Sequence, residues 1–432
     1  MSHYFLDPLL RGPMLGSMLI CLVSSVVGVF VYLSKRSLIG ETLSHATYPG
    51  VILGAFVVAL LGNENLAPFF VLSFAFIAAI LGVYVLNFLQ KRNISQDTAL
   101  CFVLSGFFGI GLLFASSMQR EFGMWYRKIQ EYIFGQASLL TDTSIWTTSG
   151  ICVLTLLLVM LFYKEIKLVL FDRTFAFALG VRVKWIDALL LGLITLCVVA
   201  GIQTVGIVLM SGMLIIPALT ARQFTNQFLP LILLSAFFGM LSAFFGNVLS
   251  FDGSLYFLKE GSFPTGPSII LVSALLCLCA LIFSPKKGLL FRAIRAMQFK
   301  NQCLLENILK AVWKYSDHSA TFNSVKKSFH LSRFFLKVLV WQLYYQGYLL
   351  SYKELCLTPD GQKKAAHLVR LHRLWEVYLA KELDVQISRV HINAEEIEHI
   401  LSQELEKDLE EMVQGVKKDP HEQWIPTKEM TQ

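Results

Sequence analysis

The sequence predicts an all-α polytopic membrane domain of about nine transmembrane helices, followed by a smaller polar part that begins near residue 303. Hydrophobic residues make up 55% of the 432 residues, and almost all of the long apolar runs lie before Ser284. Soluble domains are about half apolar, so this average, which includes a polar tail, requires a richer first part. The two parts meet in a basic junction, residues 284–302, that contains no acidic residue. The junction predicts an exit from the membrane into the cytoplasm.

Nine apolar runs are predicted to cross the membrane, because a helix needs about 20 apolar residues to span the hydrocarbon core. They lie near residues 13–33, 48–62, 66–89, 99–117, 144–163, 186–203, 204–220, 227–249 and 267–284. Basic residues are retained on the cytoplasmic side of a membrane. The basic residues after the first, third and fifth runs therefore place the C-terminal tail in the cytoplasm. The exceptions fall in one outer loop: Arg120, Arg127 and Lys128.

Net charge and cysteine use describe the surroundings of the tail. The formal charge of +7 suits anionic headgroups or nucleic acid without deciding between them. Six of the eight cysteines lie in apolar runs, where cysteine acts as a small hydrophobic residue. No CxxC zinc spacing occurs, so a reducing cytoplasmic compartment is the preferred interpretation.

A polar segment, residues 40–50, interrupts the apolar pattern just before the second predicted span. Glu41 and His45 are four residues apart, so on a helix they share a face and could offer oxygen and nitrogen donors to one divalent cation. Ionisable residues at membrane depth are costly and are candidates for function. The alternative is a solvated Glu41 and His45 at a cytoplasmic entry to the helix.

Two further polar segments flank predicted spans. Ser95 is placed to cap the helix that follows it, and Asp97 then lies in the first turn, where the helix dipole favours a carboxylate. A transport role for Asp97 is the alternative. The glycine-containing loop 171–187 is predicted to lie on the inner side, where a short surface helix could dock on a partner.

The motifs GETLSHATYPGVILGAF, SQDTALCFVLSGFFGIGLLFAS, FDRTFAFALGV and VGIVLMSGMLIIPALTA, in this order, resemble the permease subunits of the ABC-3 family. The resemblance covers residues 8–285 and implies a homodimeric or heterodimeric pore for zinc, manganese or iron. It also implies a separate ATPase and an extracytoplasmic metal-binding lipoprotein, rather than an enzyme. No phosphate-binding GxxxxGK[ST] loop occurs in the sequence, which agrees with a separate ATPase.

The ABC-3 resemblance assigns roles to individual residues. The GDxxSH-like motif of the family falls on Gly40, Glu41, Ser44 and His45, with glutamate where family members usually carry aspartate. It implies contact of Glu41 and His45 with the metal. The segment from Asp172 to Val181 matches the segment that couples the permease to its ATPase, and its residues of interest are Asp172, Arg173 and Gly180.

The tail begins with a pattern of three helices and a hairpin, which is typical of a winged helix-turn-helix. The third helix is predicted within residues 331–350, with Ser332 at its start and Arg333 and Lys337 as DNA contacts. A turn is predicted at 359–361. The aromatic residues of the third helix are expected to be core residues: Phe334, Phe335, Trp341 and Tyr344.

The last predicted helices carry histidine and glutamate at helical spacing. One presents His391, Glu395, Glu398 and His399, and another presents His372 and Glu376. Two such helices could form a nitrogen and oxygen site for manganese, iron or zinc. A solvated charged face is the alternative for each helix.

Residues 303–426 resemble the metal-dependent repressors of the diphtheria-toxin-repressor and manganese-repressor family, through the order wing, TPDG, HR and ExxEH. The resemblance implies a helical metal-binding and dimerisation domain over residues 362–432, after a DNA-binding domain over residues 303–361 and a basic linker over residues 286–302. The implied metal ligands are Glu306, His372, Glu395, Glu398 and His399, and Glu376 and His391 would belong to an ancillary site. Leu309 replaces the carboxylate of the manganese type.

The whole arrangement resembles the Ytg-type metal permease and repressor fusion, whose transport is usually assigned to iron. It implies a permease that imports a divalent metal, iron before manganese or zinc. It also implies a tail that senses this metal and represses uptake genes, with release by proteolysis in the basic linker as a corollary. Two alternatives stay open: a tail that gates the permease without binding DNA, and a permease that carries another ligand such as a vitamin or siderophore.

Overall fold

The chain forms two compact units, residues 1–292 and 293–432, and each is described by itself. The computed structural model describes residues 7–36, 38–62, 66–127, 135, 142–202, 205–207, 210–257, 263–314, 322, 325, 329, 332–351, 355–381, 399, 403–413, 415–427 and 430.

The first unit is a bundle of helices whose order follows the chain. Its helices are α1 (Pro8–Leu33), α2 (Leu38–Leu61), α3 (Ala67–Lys91), α4 (Gln96–Glu121), α5 (Asp142–Leu161), α6 (Tyr163–Phe171), α7 (Arg173–Ala178), α8 (Val183–Gly201), α9 (Met210–Phe224), α10 (Phe228–Phe257) and α11 (Thr265–Phe283). The division between the units falls within α12 (Leu289–Lys314). The second unit contains α13 (Arg333–Tyr345), α14 (Pro359–Lys381) and α15 (Gln403–Met412).

Within the described residues, seven helices are long and apolar enough to cross a membrane, or eight if the bent pair α5 and α6 is one span. The predicted count of nine is therefore not confirmed. The seventh predicted span, residues 204–220, corresponds to α9, which has only 15 residues. At about 1.5 Å per residue this helix is too short for a hydrocarbon core of about 30 Å. The helix α1 lies at the centre of the bundle, and it is the most buried of these seven described helices.

The polar segment at residues 40–50 lies inside a helix, because α2 begins at Leu38 rather than near residue 48. Two of its hydroxyl groups are satisfied along the helix: Ser44 donates to the Gly40 carbonyl at 2.8 Å, and Thr47 donates to the Ser44 carbonyl at 2.6 Å. Such back-bonding lets short polar side chains enter an apolar environment without an unpaired donor. The predicted shared helical face of Glu41 and His45 is thereby confirmed.

A close crossing between α1 and α9 depends on the absence of a side chain at Gly28. A β-carbon at this position would overlap the backbone carbonyl of Leu214. Small residues at helix crossings in membranes let backbones approach and gain dispersion contacts. The short helix α9 is thus held against the centre of the bundle.

Replacing Gly28 with alanine is expected to destabilise the first unit, because the added methyl group collides with backbone atoms that cannot rotate away. Overpacking of this kind costs about 1–3 kcal/mol. Thermal unfolding of the purified protein in detergent measures the effect as a lower midpoint. Gly192→Ala on α8, where nothing lies within 4 Å of the added atom, is the matched control. Equal midpoints for the two variants would contradict the close crossing.

The basic junction is attached to the end of α9. Ser284 donates its hydroxyl to the Gln223 carbonyl at 2.6 Å. The Lys287 ammonium donates to the Arg222 carbonyl at 3.1 Å and to the Asn226 side-chain oxygen at 2.6 Å. The carbonyl groups at a helix C-terminus need such donors. From Leu289 onward the predicted linker is helical, as the first part of α12.

The second unit has its own apolar core, formed where α12, α13 and α14 pack together. Its central residues include Ile308, Leu309, Leu336, Leu339 and Leu343, all at most 1% exposed. An antiparallel bridge joins Leu349 to Leu357, where the wing was predicted. The winged helix-turn-helix as a whole stays a prediction, since most residues between α12 and α13 lie outside the described part of the chain.

The turn predicted at 359–361 is wrong, because these residues form the first turn of α14. The Thr358 hydroxyl accepts the Gly361 amide at 3.0 Å and so caps the helix. Pro359 follows at the first helical position, where a backbone N–H would have no acceptor within the helix, so its absence costs nothing. The four residues TPDG are compatible with a turn and with a helix start, and the Thr358 cap stabilises the helix.

Candidate functional site

Glu41 and His45 lie one turn apart near the start of α2, and both side chains are half-buried. The His45 ring meets the edge of the Phe108 ring of α4, with 4.8 Å between ring centroids. Its Nδ1 atom is buried and has no hydrogen-bond partner among the residues that the structure describes. An imidazole nitrogen in this state is costly unless a ligand or solvent reaches it. The pair therefore offers one carboxylate and one imidazole at the packed start of α2.

Asp97 lies in the first turn of α4 and is exposed. Ser95 accepts the Thr98 amide at 3.3 Å, which confirms the predicted cap. Among the residues that the structure describes, no group of three or more His, Cys, Asp or Glu side chains is spaced to hold a metal ion. The structure thus does not gather Asp97 with Glu41 and His45 into one site.

The segment from α6 to α8 presents a short capped helix beside an apolar surface. Asp172 accepts the Phe175 amide at 2.9 Å and the Thr174 hydroxyl at 2.6 Å, and these hydrogen bonds lower the pKa of its carboxyl. Arg173 pairs with Asp187 at 2.6 Å. Gly180 has a φ of +82°, which favours glycine, and it ends the turn after α7.

The apolar surface of this segment is unusually exposed for large side chains. Its members are Phe175, Phe177, Leu179 and Trp185, which are 53% to 76% exposed. Apolar groups that a rigid loop presents together are typical of a protein–protein contact. The capped helix α7 therefore presents an exposed apolar surface.

In the second unit, Glu306 of α12 and His399 meet although they are far apart in the sequence. The Nδ1 atom of His399 lies 2.5 Å from Oε2 of Glu306, and Gln302 donates to Oε1 of Glu306 at 3.1 Å. Burial alone would raise the pKa of Glu306, but the hydrogen bonds from His399 and Gln302 outweigh burial and lower the pKa. Two of the predicted ligands are thus brought together.

A second pair lies on α14. His372 Nε2 is 3.2 Å from Oε1 of Glu376, whose side chain is only 2% exposed. His421 Nε2 lies 4.0 Å from the same oxygen. A cavity of about 340 Å³ is lined by these three residues together with Asp419 and several basic side chains. Both imidazoles therefore face one buried carboxylate.

Sequence reasoning missed His421, because it follows a proline in a polar segment and the sequence places no His, Cys, Asp or Glu three or four residues away from it. Its position depends on contacts that only the fold provides. Arg373 pairs with Asp419 at 3.5 Å, donates to the Gln423 side chain at 2.7 Å and also donates to the Trp424 carbonyl. Asp419 in turn accepts the His421 amide at 2.9 Å. These bonds hold the segment 416–427 against α14.

Three of the predicted ligands lie outside the described residues: His391, Glu395 and Glu398. The described ligands therefore give only part of the predicted set. Glu306 with His399, and His372 with Glu376, provide nitrogen and oxygen donors of the kind that manganese, iron and zinc accept.

The predicted DNA contacts lie on α13. Ser332 caps this helix by accepting the Phe335 amide at 3.3 Å, and Arg333 and Lys337 are exposed one turn apart. The expectation that the aromatic residues of this helix are core residues is wrong. The aromatic residues Phe334, Phe335, Trp341 and Tyr344 are 40% to 79% exposed. The buried face of α13 is formed by leucine and valine instead.

Comparisons with known proteins match both units. A model of the ABC 3 transport family matches residues 7–284, and a model of the iron dependent repressor, metal binding and dimerisation domain matches residues 358–427. A probable metal transport system membrane protein of Chlamydia trachomatis is 32% identical over 99% of this chain and 98% of its own. The manganese transport system membrane protein MntC of Bacillus subtilis is 33% identical over 86% of this chain and 84% of its own.

A solved structure agrees with the first unit. PsaBC from Streptococcus pneumoniae, in complex with a Fab, has a TM-score of 0.57 and 26% sequence identity, and the match covers 66% of this chain and 95% of that chain. The family model covers well over half of the sequence. The chain is therefore a multi-pass membrane permease of the ABC 3 transport family that carries a C-terminal domain of the iron dependent repressor type.

Proposed function

We propose that this permease imports iron or manganese past Glu41 and His45, and that its C-terminal unit binds the same metal and represses uptake genes. The observation that carries this proposal is the repetition of one donor chemistry in both units. Carboxylate and imidazole pairs lie at the start of α2, between Glu306 and His399, and between His372 and Glu376. A transporter and a sensor of its cargo require matched donors.

The choice of metal rests on donors and relatives. Carboxylate oxygen and imidazole nitrogen suit manganese, iron and zinc alike. The resemblance to permease and repressor fusions favours iron, whereas the Bacillus subtilis relative is named for manganese transport. We therefore place iron and manganese before zinc.

Transport requires energy, and we propose that a separate ATPase supplies it by docking on the segment around α7. The exposed apolar residues of this segment and the fixed cap at Asp172 support this role. A metal-binding lipoprotein on the other side of the membrane would deliver the cargo. A second permease subunit, either the same chain or a related one, would complete the pore.

Replacing Asp172 with alanine is expected to lower ATP-driven metal uptake several-fold, because α7 loses its cap and the docking surface loses its fixed orientation. Uptake by vesicles that contain the permease and its ATPase measures the effect. Asp172→Asn should retain most of the activity, since asparagine caps helices equally well. Because the folded carboxyl has a lowered pKa, its contribution is present above the ordinary aspartate pKa and is lost only as pH falls through the lowered value. Equal uptake for Asp172→Ala and the wild type would contradict the coupling role.

In the tail, we propose that the bound metal joins α12 to the segment that contains His399 and stabilises a dimer that fits two half-sites on DNA. A ligand that binds one arrangement better shifts the population toward that arrangement. Arg333 and Lys337 of α13 would contact the DNA, from the cytoplasmic side of the membrane.

DNA binding by the full-length protein in nanodiscs tests the repressor role. Fluorescence anisotropy with DNA from upstream of metal-uptake genes should show binding that appears with iron or manganese and disappears with chelator. Arg333→Gln with Lys337→Gln should abolish it, and the exposed Lys407→Gln on α15 should not. If neither the wild type nor the Lys407→Gln control binds this DNA in a metal-dependent way, the result would contradict repression. An uptake rate that responds to metal on the tail side would then favour gating of the permease.

We further propose that proteolysis in the basic linker releases the repressor, because a protein held in the membrane can search little DNA. Immunoblotting of cell fractions with an antibody against the tail checks this. A soluble tail fragment is expected, and full-length protein in the membrane fraction alone would count against release.

A further inference from the structure

The first turns of α12 expose an apolar stripe. Leu290, Ile294 and Met297 follow the spacing i, i+4, i+7, which places them on one side of a helix. They are 42%, 39% and 71% exposed, and Leu289 at the helix start is 61% exposed. A helix face of this kind needs an apolar partner, because so much exposed apolar surface is unfavourable in water.

Basic residues occur in the same turns. By the helical period, Arg292 and Arg295 lie on the side opposite the apolar stripe and Lys300 lies beside it, and Lys286 and Lys287 precede the helix. Phe291 and Phe299, also exposed, lie outside the stripe. No acidic residue occurs from residue 284 to residue 305. An exposed apolar stripe with several basic residues and no acidic residue around it is typical of helices that lie in the interface of an anionic membrane.

The position of α12 in the chain also points to the membrane surface as its partner. The last membrane helix, α11, ends at Phe283, which is 59% exposed, and α12 begins at Leu289. Five residues join them, and a chain of this length reaches at most about 20 Å. The amphipathic turns therefore begin within reach of the membrane surface at which α11 ends.

We propose that residues 289–300 of α12 form an interfacial helix that binds anionic phospholipid headgroups. The apolar stripe would enter the boundary between headgroups and acyl chains, and the basic side chains would pair with the phosphates. Each cationic side chain near an anionic surface changes the binding equilibrium about fivefold. The proposal depends on the membrane location of the first unit and is independent of which metal is carried and of whether the tail binds DNA.

Hydrogen–deuterium exchange of the full-length protein in nanodiscs tests this surface. Nanodiscs of phosphatidylcholine alone are compared with nanodiscs that also contain phosphatidylglycerol. Peptides that cover residues 289–300 should exchange at least about tenfold more slowly with the anionic lipid. High salt should remove the difference, because it screens the headgroup charge.

Variants separate the lipid from other occupants. Arg292→Gln, Arg295→Gln and Lys300→Gln together should abolish the lipid dependence. The matched control changes three exposed lysines elsewhere in the tail, namely Lys363→Gln, Lys407→Gln and Lys417→Gln, and should keep it. Equal exchange in both lipids would overturn the proposal. Protection that follows protein concentration rather than lipid charge would also overturn it, since a second copy of the chain would then cover the stripe.

Discussion

Alanine at His45 is expected to abolish metal uptake, with a loss of more than about 100-fold in cargo affinity. The substitution removes the imidazole at the start of α2, whose buried Nδ1 atom has no hydrogen-bond partner in the described part of the chain. The structure around it should survive, because the half-buried ring makes a T-shaped contact with Phe108 rather than filling the centre of the apolar core. Uptake of radioactive iron or manganese by vesicles that contain the complete transporter measures the loss.

The controls for this experiment lie on the same helix. Thr47→Ala removes a buried hydroxyl that bonds only to the Ser44 carbonyl, and it should leave uptake near the wild-type level. Glu41→Asp keeps the carboxylate and should retain uptake, whereas Glu41→Ala should lose it. Wild-type uptake by His45→Ala and Glu41→Ala would remove both residues from the transport path.

Glutamine at Glu306 is expected to remove one high-affinity metal from the tail and to lower the affinity at this site by at least about tenfold. Oε2 of Glu306 lies against His399 Nδ1, and a carboxamide is a much poorer metal ligand than a carboxylate of the same shape. Isothermal titration of the full-length protein with manganese or iron measures both the number of sites and their affinity. DNA binding should lose its metal dependence in parallel.

Glu404→Gln on α15 is the matched control, since it removes the same charge from an exposed position. Circular dichroism distinguishes loss of the site from loss of the fold, because Glu306→Gln keeps the side-chain volume within the α12 packing. Unchanged stoichiometry and affinity in Glu306→Gln would show that this glutamate is not a ligand.

Apolar runs predicted most of the membrane helices, but they could not predict where α2 begins or how far α9 extends. Polar residues such as Ser44 and Thr47 lower the local hydropathy, and only their bonds to carbonyls one turn back show that the helix continues through them. The helix α9 runs from Met210 to Phe224, so it begins later than predicted and extends past residue 220, where Lys287 and Ser284 bind the carbonyls of its last turn. Contacts between residues so far apart in the sequence leave no periodic pattern in it.

The sequence predicts a pair of metal-donor residues more easily when the two lie one helical turn apart than when only the tertiary fold brings them together. His372 and Glu376 are four residues apart on α14, so the pattern sufficed. The partner of Glu306 came only from the family resemblance, because His399 lies 93 residues away. His421 was missed because its position depends on Arg373, which binds a segment of irregular backbone.

Lys287 and Ser284 connect the residues that precede α12 to the end of α9. Three hydrogen bonds therefore fix the position from which α12 starts relative to the first unit. Because a methyl group at Gly28 would overlap the Leu214 carbonyl, α9 itself has little room to shift along α1. The connection from α11 to α12 is thus held at a closely packed part of the first unit.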